Sequence, residues 1–420
     1  MPVCFYRCWA EALLGVRSIV DSESGNIIRY PAVFGGGIKP GSDDFVHLVI
    51  IGMSRMGMSL VTEAALLLHF PNSGRKRTRI TMIDVNAEQE MRKLVNLHSS
   101  LFAEAHYTYT EYSKSHLSES VPVVQHSNDG WLDTEFHFVQ AAAESTIVRV
   151  LLNKFAQERG SRLAVAICLP DALLHALSLP RCLFNRENVN IYVQQTEREG
   201  LLKHLRNEPA SPYSNVYPFG MHNVDVCGES LVDDLAIYAD LTYFNHSLES
   251  WENLVNRVKR KDAQSLKKHW LNMELWRRIS NRYAAASVQI KLNSMATSDK
   301  QIIENLIEKV YADDSARLFG EMEHNRWCVE KLITGFRKLT PEEQKQFENG
   351  ESESTYKKKF AHPALRPWKE ICDKPQYTSY YYPSINMGRS ICFLPQIKEV
   401  IDKETPQQVK SSTNCTKVKN

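Results

Sequence analysis

Several kinds of site are missing from this chain of 420 residues. Its nine cysteines, at positions 4, 8, 168, 182, 227, 328, 372, 392 and 415, include no C-x-x-C pair, which excludes the common zinc and dithiol patterns. Cys168 falls in an apolar run and reads as a small buried hydrophobe. No apolar run reaches the roughly 18 residues of a membrane-spanning helix. The run Val3–Val16 is broken by Arg7 and Glu11, so it reads as neither a span nor a signal peptide. Charge of one sign is not in excess: 51 Lys and Arg face 49 Asp and Glu, and a net +2 gives no push toward nucleic acid or anionic membrane. A Walker loop, an H-E-x-x-H and a G-x-S-x-G are all absent. None of the 17 tyrosines begins a Tyr-x-x-x-Lys pair, which excludes the short-chain dehydrogenase arrangement. Scattered thiols and no membrane span fit a cytoplasmic protein.

Two further features fall short of a site. His98, His106, His116 and His126 match no metal-ligand spacing and read as surface histidines. The basic run Arg257–Lys268 is interleaved with acids and apolar positions, so a solvated helix face is preferred to a nucleic-acid contact, and no specific nucleic acid is expected.

What remains is an ordinary globular composition, 43% hydrophobic and 24% charged, with length for two or three domains. Residues 1–44 carry Pro31, Gly35-Gly36-Gly37, Pro40 and Gly41 and read as a leader or linker with little regular structure. From 45 to 225 strand-like runs (46–51, 79–84, 135–139, 163–169, 189–194, 215–219) alternate with helical patterns near 55–70, 87–97, 143–159, 171–183 and 197–206. This alternation predicts an α/β domain with a mostly parallel, Rossmann-like sheet. Asp171 is placed to cap the helix after the fourth strand. The stretch 98–133 is too long for an ordinary connection and reads either as a lid over the site or as a disordered surface loop. Beyond 225 the pattern is helical (229–245, 249–270, 272–292, 299–312, 314–336), with a connector at 226–264, a helical unit at 265–390 and a polar tail at 391–420.

The first strand runs into Gly52-Met53-Ser54-Arg55-Met56-Gly57, a G-x-S-x-x-G variant of the dinucleotide fingerprint. Gly52 serves the tight turn and Gly57 the close helix–strand approach, while phosphate sits on N–H groups at the helix start. Ser54 narrows the middle position but offers a hydroxyl. The second strand ends in Asp84, placed to accept both hydroxyls of an adenosine ribose and to disfavour a 2′-phosphate. An empty pocket of the same shape is the alternative reading.

Residues 46–220 resemble the nucleotide-binding N-domain of the TrkA-N or RCK regulators of bacterial potassium transport. Gly52, Ser54, Arg55, Met56 and Gly57 match the phosphate loop, with Met53 inside it, and Asp84 matches the ribose acid. Leu169 and Asp171, in Ile167-Cys168-Leu169-Pro170-Asp171, match the strand end that borders the adenosine. The resemblance implies sensing of NAD, NADH or another adenosine nucleotide without chemistry, and pairing as a homodimer. Ser54 and the insert at 98–133 depart from the pattern. Residues 265–385 resemble the RyR domain, the ryanodine receptor repeat also found in bacterial proteins. Glu323-His324-Asn325-Arg326-Trp327, then Gly335-Phe336-Arg337, then His362-Pro363-Ala364-Leu365-Arg366-Pro367-Trp368 occur in its order, with Phe336 where tryptophan is usual.

For the helical motif two readings stand. Glu323 and Arg326 form a pair that locks helices, with Trp327 in the core; or Arg282, Asn325, Arg326 and Trp327 make a second ligand site, an aromatic face and guanidinium gripping base and phosphate. The chain as a whole reads as a nucleotide-sensing regulator that signals through the RyR-like part, to ion transport through a membrane channel or another effector met in trans. The alternatives are an NAD- or nucleotide-processing enzyme, or a messenger receptor in a stress or phage-defence system.

Overall fold

The computed structural model describes residues 5–15, 19–21, 27–28, 30–112 except 73 and 75, 122–128, 130–196, 210–225 except 223, 235–240 except 238, 263–295, 313–372 and most of 374–388, with isolated positions from 202 to 208. The helices expected at 197–206, 229–245 and 299–312, the first part of 249–270 and the polar tail fall wholly or mostly outside them.

In chain order the N-terminal part runs α1 (Phe5–Leu14), β1 (Ile19–Asp21), β2 (Ile27–Ile28), β3 (Phe45–Ile51), α2 (Arg55–Leu67), β4 (Thr78–Asp84), α3 (Ala87–Leu97) and α4 (Ser99–Glu104). Next come β5 (His106–Tyr112), β6 (Pro122–Asn128), β7 (Thr134–Gln140), α5 (Thr146–Gln157), β8 (Ser161–Ile167), α6 (Ala172–Leu177), β9 (Val189–Gln194), β10 (Val216–Phe219) and β11 (Val224–Asp225). The helical part holds α7 (Ala263–Asn272), α8 (Leu275–Ala286), α9 (Val288–Met295) and α10 (Asp313–Ile333). It closes with β12 (Arg337–Lys338), α11 (Pro341–Glu348), α12 (Glu353–Lys357), β13 (Ala361–His362) and α13 (Trp368–Cys372).

The main sheet has the order β10-β9-β8-β3-β4-β7-β5-β6. Its first seven strands are all parallel and β6 lies antiparallel at the edge. With helices on both faces it is a Rossmann-like α/β sheet. β3 is buried along its whole length, as a central parallel strand must be, and its side chains alternate between two cores. Val46, Leu48 and Ile50 face the core shared with α1, α2 and α3, whereas Val49 and Ile51 face α5 and α6. Without the insert the strands read outward from β3 as β4, β7 on one side and β8, β9, β10 on the other. The winding therefore reverses between β3 and β8, the place where such sheets bind ligands.

Three expectations are corrected. Residues 5–14 form a helix, because Trp9, Ala10, Leu13 and Leu14 make one apolar face that is buried against α2. Of the glycines after it Gly37 is packed, since a Cβ there would lie 2.1 Å from the Asn293 carbonyl oxygen, whereas Gly35, Gly36 and Gly41 are exposed. The stretch 98–133 is neither a lid nor a loop in its described part. Phe102, Tyr109 and Phe136 bury its apolar positions, and β5 and β6 extend the sheet beyond β7. The expected helix at 171–183 is split into α6 and a 3₁₀ turn at Arg181–Leu183, with Pro180 between them.

The helical part shares the larger core with the sheet, contributing Tyr283, Ile290, Phe319, Met322, Val329 and Leu332. Asn325 Nδ2 donates to Asp133 Oδ2 at 3.0 Å, and the same carboxylate receives His69 Nδ1 at 2.9 Å, so a buried polar cluster ties α10 to the sheet. Arg326 is also wholly buried. It donates from Nη2 to Glu323 Oε1 at 2.7 Å and from Nη1 to Glu330 Oε2 at 2.8 Å, while Lys291 Nζ lies 3.2 Å from Glu323 Oε2. Burial pushes both carboxyls up, but the neighbouring cations outweigh it and leave them below the usual range. Ser280 Oγ donates to Glu330 Oε2 at 2.8 Å and adds α8 to the network.

Replacing Arg326 by Met removes the cation that two buried carboxylates share and leaves each with a single lysine, Lys291 or Lys331. We expect a loss of roughly 3–5 kcal/mol in chemical denaturation; a loss below roughly 1 kcal/mol would contradict the network's role. His324 donates from Nε2 to the Arg366 carbonyl at 2.9 Å, and burial lowers its pKa to about 4. Between the ordinary histidine value near 6.5 and about 4 the unfolded chain binds more protons, so stability falls as pH falls through this window. The melting temperature of the wild type is expected to drop more steeply across it than that of His324→Gln; equal slopes would remove His324 from the account.

Candidate functional site

β3 ends at Ile51, and Gly52 turns the chain with φ +98°. A Cβ there would also lie 2.7 Å from Leu169 Cδ2, so the backbone angle favours glycine and the space is tight besides. At Gly57 the constraint is harder still, since a Cβ would sit 2.2 Å from the Gly52 carbonyl oxygen. The first turn of α2 therefore lies directly on the end of β3.

Ser54 caps that turn. With φ −66° and ψ 177° it is extended, and its Oγ accepts the Gly57 N–H over a long 3.4 Å. The first two amides of the helix, those of Arg55 and Met56, have no acceptor among the described residues, as expected at a helix start. Together with the helix dipole they form an anion-binding end.

A cleft of about 660 Å³ opens at this point, within the usual range for small-molecule sites. Ser54, Arg55 and Met56 line it from α2, Leu169 and Asp171 from the end of β8, and Gln194, Gln195 and Thr196 from the end of β9. Tyr6 of α1 completes the wall. The cleft thus occupies the reversal point of the sheet. Arg55 and Asp171 are its charged lining residues, and both are exposed. Cys168 also borders it, but burial pushes its thiol pKa up, away from thiolate chemistry.

Other expected site residues are placed differently. Asp84 is half-buried and does not line the cleft. It stands on the β4 side of the loop, where Oδ2 accepts the Met53 N–H at 2.8 Å and Oδ1 accepts the Asn86 N–H at 2.8 Å. Asp171 occupies the cap position of α6 with φ 53°, but its side chain makes no capping bond, so the expected cap is corrected. Arg326 and Asn325 donate to carboxylates of the protein itself. Trp327 is half-buried with its ring 4.8 Å from His362, and Arg282 is half-buried on α8. The described part of the basic run, 263–268, lies in α7.

Sequence reasoning missed Tyr6, Gln194, Gln195 and Thr196. The last three lie at and just beyond the end of the strand read at 189–194, and the rule that ligands lie at strand ends at the reversal point signals them. Tyr6 carries no such signal. No family model, curated protein or solved structure matches the chain.

Gly57→Ala is expected to lower the melting temperature by several degrees, because the added methyl meets backbone oxygen and costs about 1–3 kcal/mol or more. An unchanged melting temperature would contradict the close approach.

Proposed function

We propose that this chain is a nucleotide-sensing regulatory protein that performs no chemistry. An adenosine nucleotide, with NAD or NADH the first choice and a nucleotide messenger the second, binds with its phosphates on the Arg55 and Met56 amides. The observation that carries the reading is the coincidence of three things at one place: the reversal of strand order, a roomy cleft, and a glycine-defined helix start with unclaimed amides. Asp84, which stands beside the loop and not in the cleft lining, is assigned the role of ribose acid. Its carboxylate is held against the loop by the Met53 N–H, and carboxylate oxygens retain further acceptor capacity there.

The resemblance to the TrkA-N and RyR families supplies the rest of the proposal. Occupancy of the cleft alters what the helical part contacts, with ion transport through a partner channel as the candidate output. The protein acts in the cytoplasm as a homodimer. Binding energy comes from amides, Asp84 and burial of the base.

Titration calorimetry with NADH tests the reading. The wild type is expected to bind, and Asp84→Asn to bind about 10–100-fold more weakly, the worth of a hydrogen bond to a charged group. The variant keeps an oxygen for the Met53 amide but loses the acceptor of the Asn86 amide, so a modest fall in melting temperature is expected beside the loss of affinity. Equal affinity in both would remove Asp84 from the site.

A further inference from the structure

The proposal that follows rests on the nucleotide reading of the cleft and concerns how occupancy leaves it. α1 precedes the sheet in sequence and is not part of its strand–helix alternation, yet it touches both the cleft and the helical part. Tyr6 lines the cleft. Its neighbour Phe5 stacks on His222 with ring centroids 4.9 Å apart, and the Trp9 indole donates to the Met221 carbonyl at 3.2 Å, which fixes α1 over the end of β10.

One residue on, the chain faces the other way. Arg7 Nε lies 3.0 Å from Glu63 Oε1 on α2, and its guanidinium sits 4.9 Å from the centroid of the Tyr283 ring on α8. Glu63 and Tyr283 are both buried while the Arg7 side chain is part-exposed, so this contact is made at the rim of the shared core. α8 in turn reaches Glu330 through Ser280, and so the Arg326 network of α10. Asn281, also on α8, donates to the buried Asp240 at 2.9 Å.

We propose that α1 is the coupling element of this protein: a ligand in the cleft bears on Tyr6, and Arg7 passes the change in α1 to Glu63 and Tyr283, and thereby to α8 of the helical part. The two ends of the device are adjacent residues of one helix, so a shift or rotation of α1 that suits the ligand moves the Arg7 contact with it. Any such coupling is reciprocal, so events at α8 also change affinity in the cleft.

Hydrogen-exchange mass spectrometry of the full chain, with and without NADH, tests this when run beside calorimetry. In the wild type, NADH is expected to slow exchange in the 5–14 and 275–286 peptides about fivefold, the lower end of ordinary coupling. Tyr6→Ala should weaken NADH about fivefold through loss of an aromatic wall. Arg7→Met should still bind NADH but show no change at 275–286. If that variant melts early, Arg7→Lys keeps a cation opposite Glu63 without the planar group over Tyr283, and should show reduced protection. NADH binding with unchanged exchange at 275–286 in the wild type, or full protection there in both Arg7 variants, overturns the coupling and leaves the nucleotide reading intact. A complete lack of NADH binding in calorimetry overturns both.

Discussion

The contact between Gly57 and the Gly52 carbonyl is the constraint on which the site depends. It sets α2 closer to β3 than any side chain permits, and the turn at Gly52 is shaped to match, with its left-handed backbone pressed against Leu169. Because helix and strand meet there, the first amides of α2 emerge at the end of the sheet, next to the ends of β8 and β9. Substitution at either glycine would displace the helix start, and the cleft would lose its anion-binding floor.

A second constraint operates away from the cleft. Arg326, Lys291, Glu323 and Glu330 are taken out of water together, an arrangement tolerated only while each charge keeps its partner. The cluster of His69, Asp133 and Asn325 does the same for the seam between α10 and the sheet. These groups fix which helix faces meet, a task that apolar contacts alone perform loosely. The helical part is thus joined to the sheet by one core, and α1 lies across the join.

Much of this was legible in the sequence where local pattern and burial agree. Of the six strands read as β3, β4, β7, β8, β9 and β10, the central β3, β8 and β9 were visible as near-continuous apolar runs and the others as shorter or alternating ones. Gly52 and Gly57 were legible because glycine at those positions has a steric cause. The insert was not, since β5 carries Tyr, Thr, His and Glu and is half-buried along most of its length, and polar strands near a sheet edge resemble loops. α1 was obscured by the glycines and prolines that follow it. Asn325 and Arg326 were ambiguous because a buried ion pair and a ligand grip use the same residue types, and only the position of Asp133 and Lys291 separates them. Tyr6 was illegible for a simpler reason: its place beside the cleft is set by tertiary packing some distance away in the chain.

The central claim is that the cleft at the end of β3 holds an adenosine nucleotide. Native mass spectrometry of the purified full chain, before and after addition of NADH, addresses it most directly. The account predicts an added mass of one adenosine nucleotide per chain that is retained in the wild type and lost when Gly57 is replaced by valine in a still-folded protein. A wild-type spectrum showing the bare polypeptide alone, with NADH and ATP in excess, would contradict it.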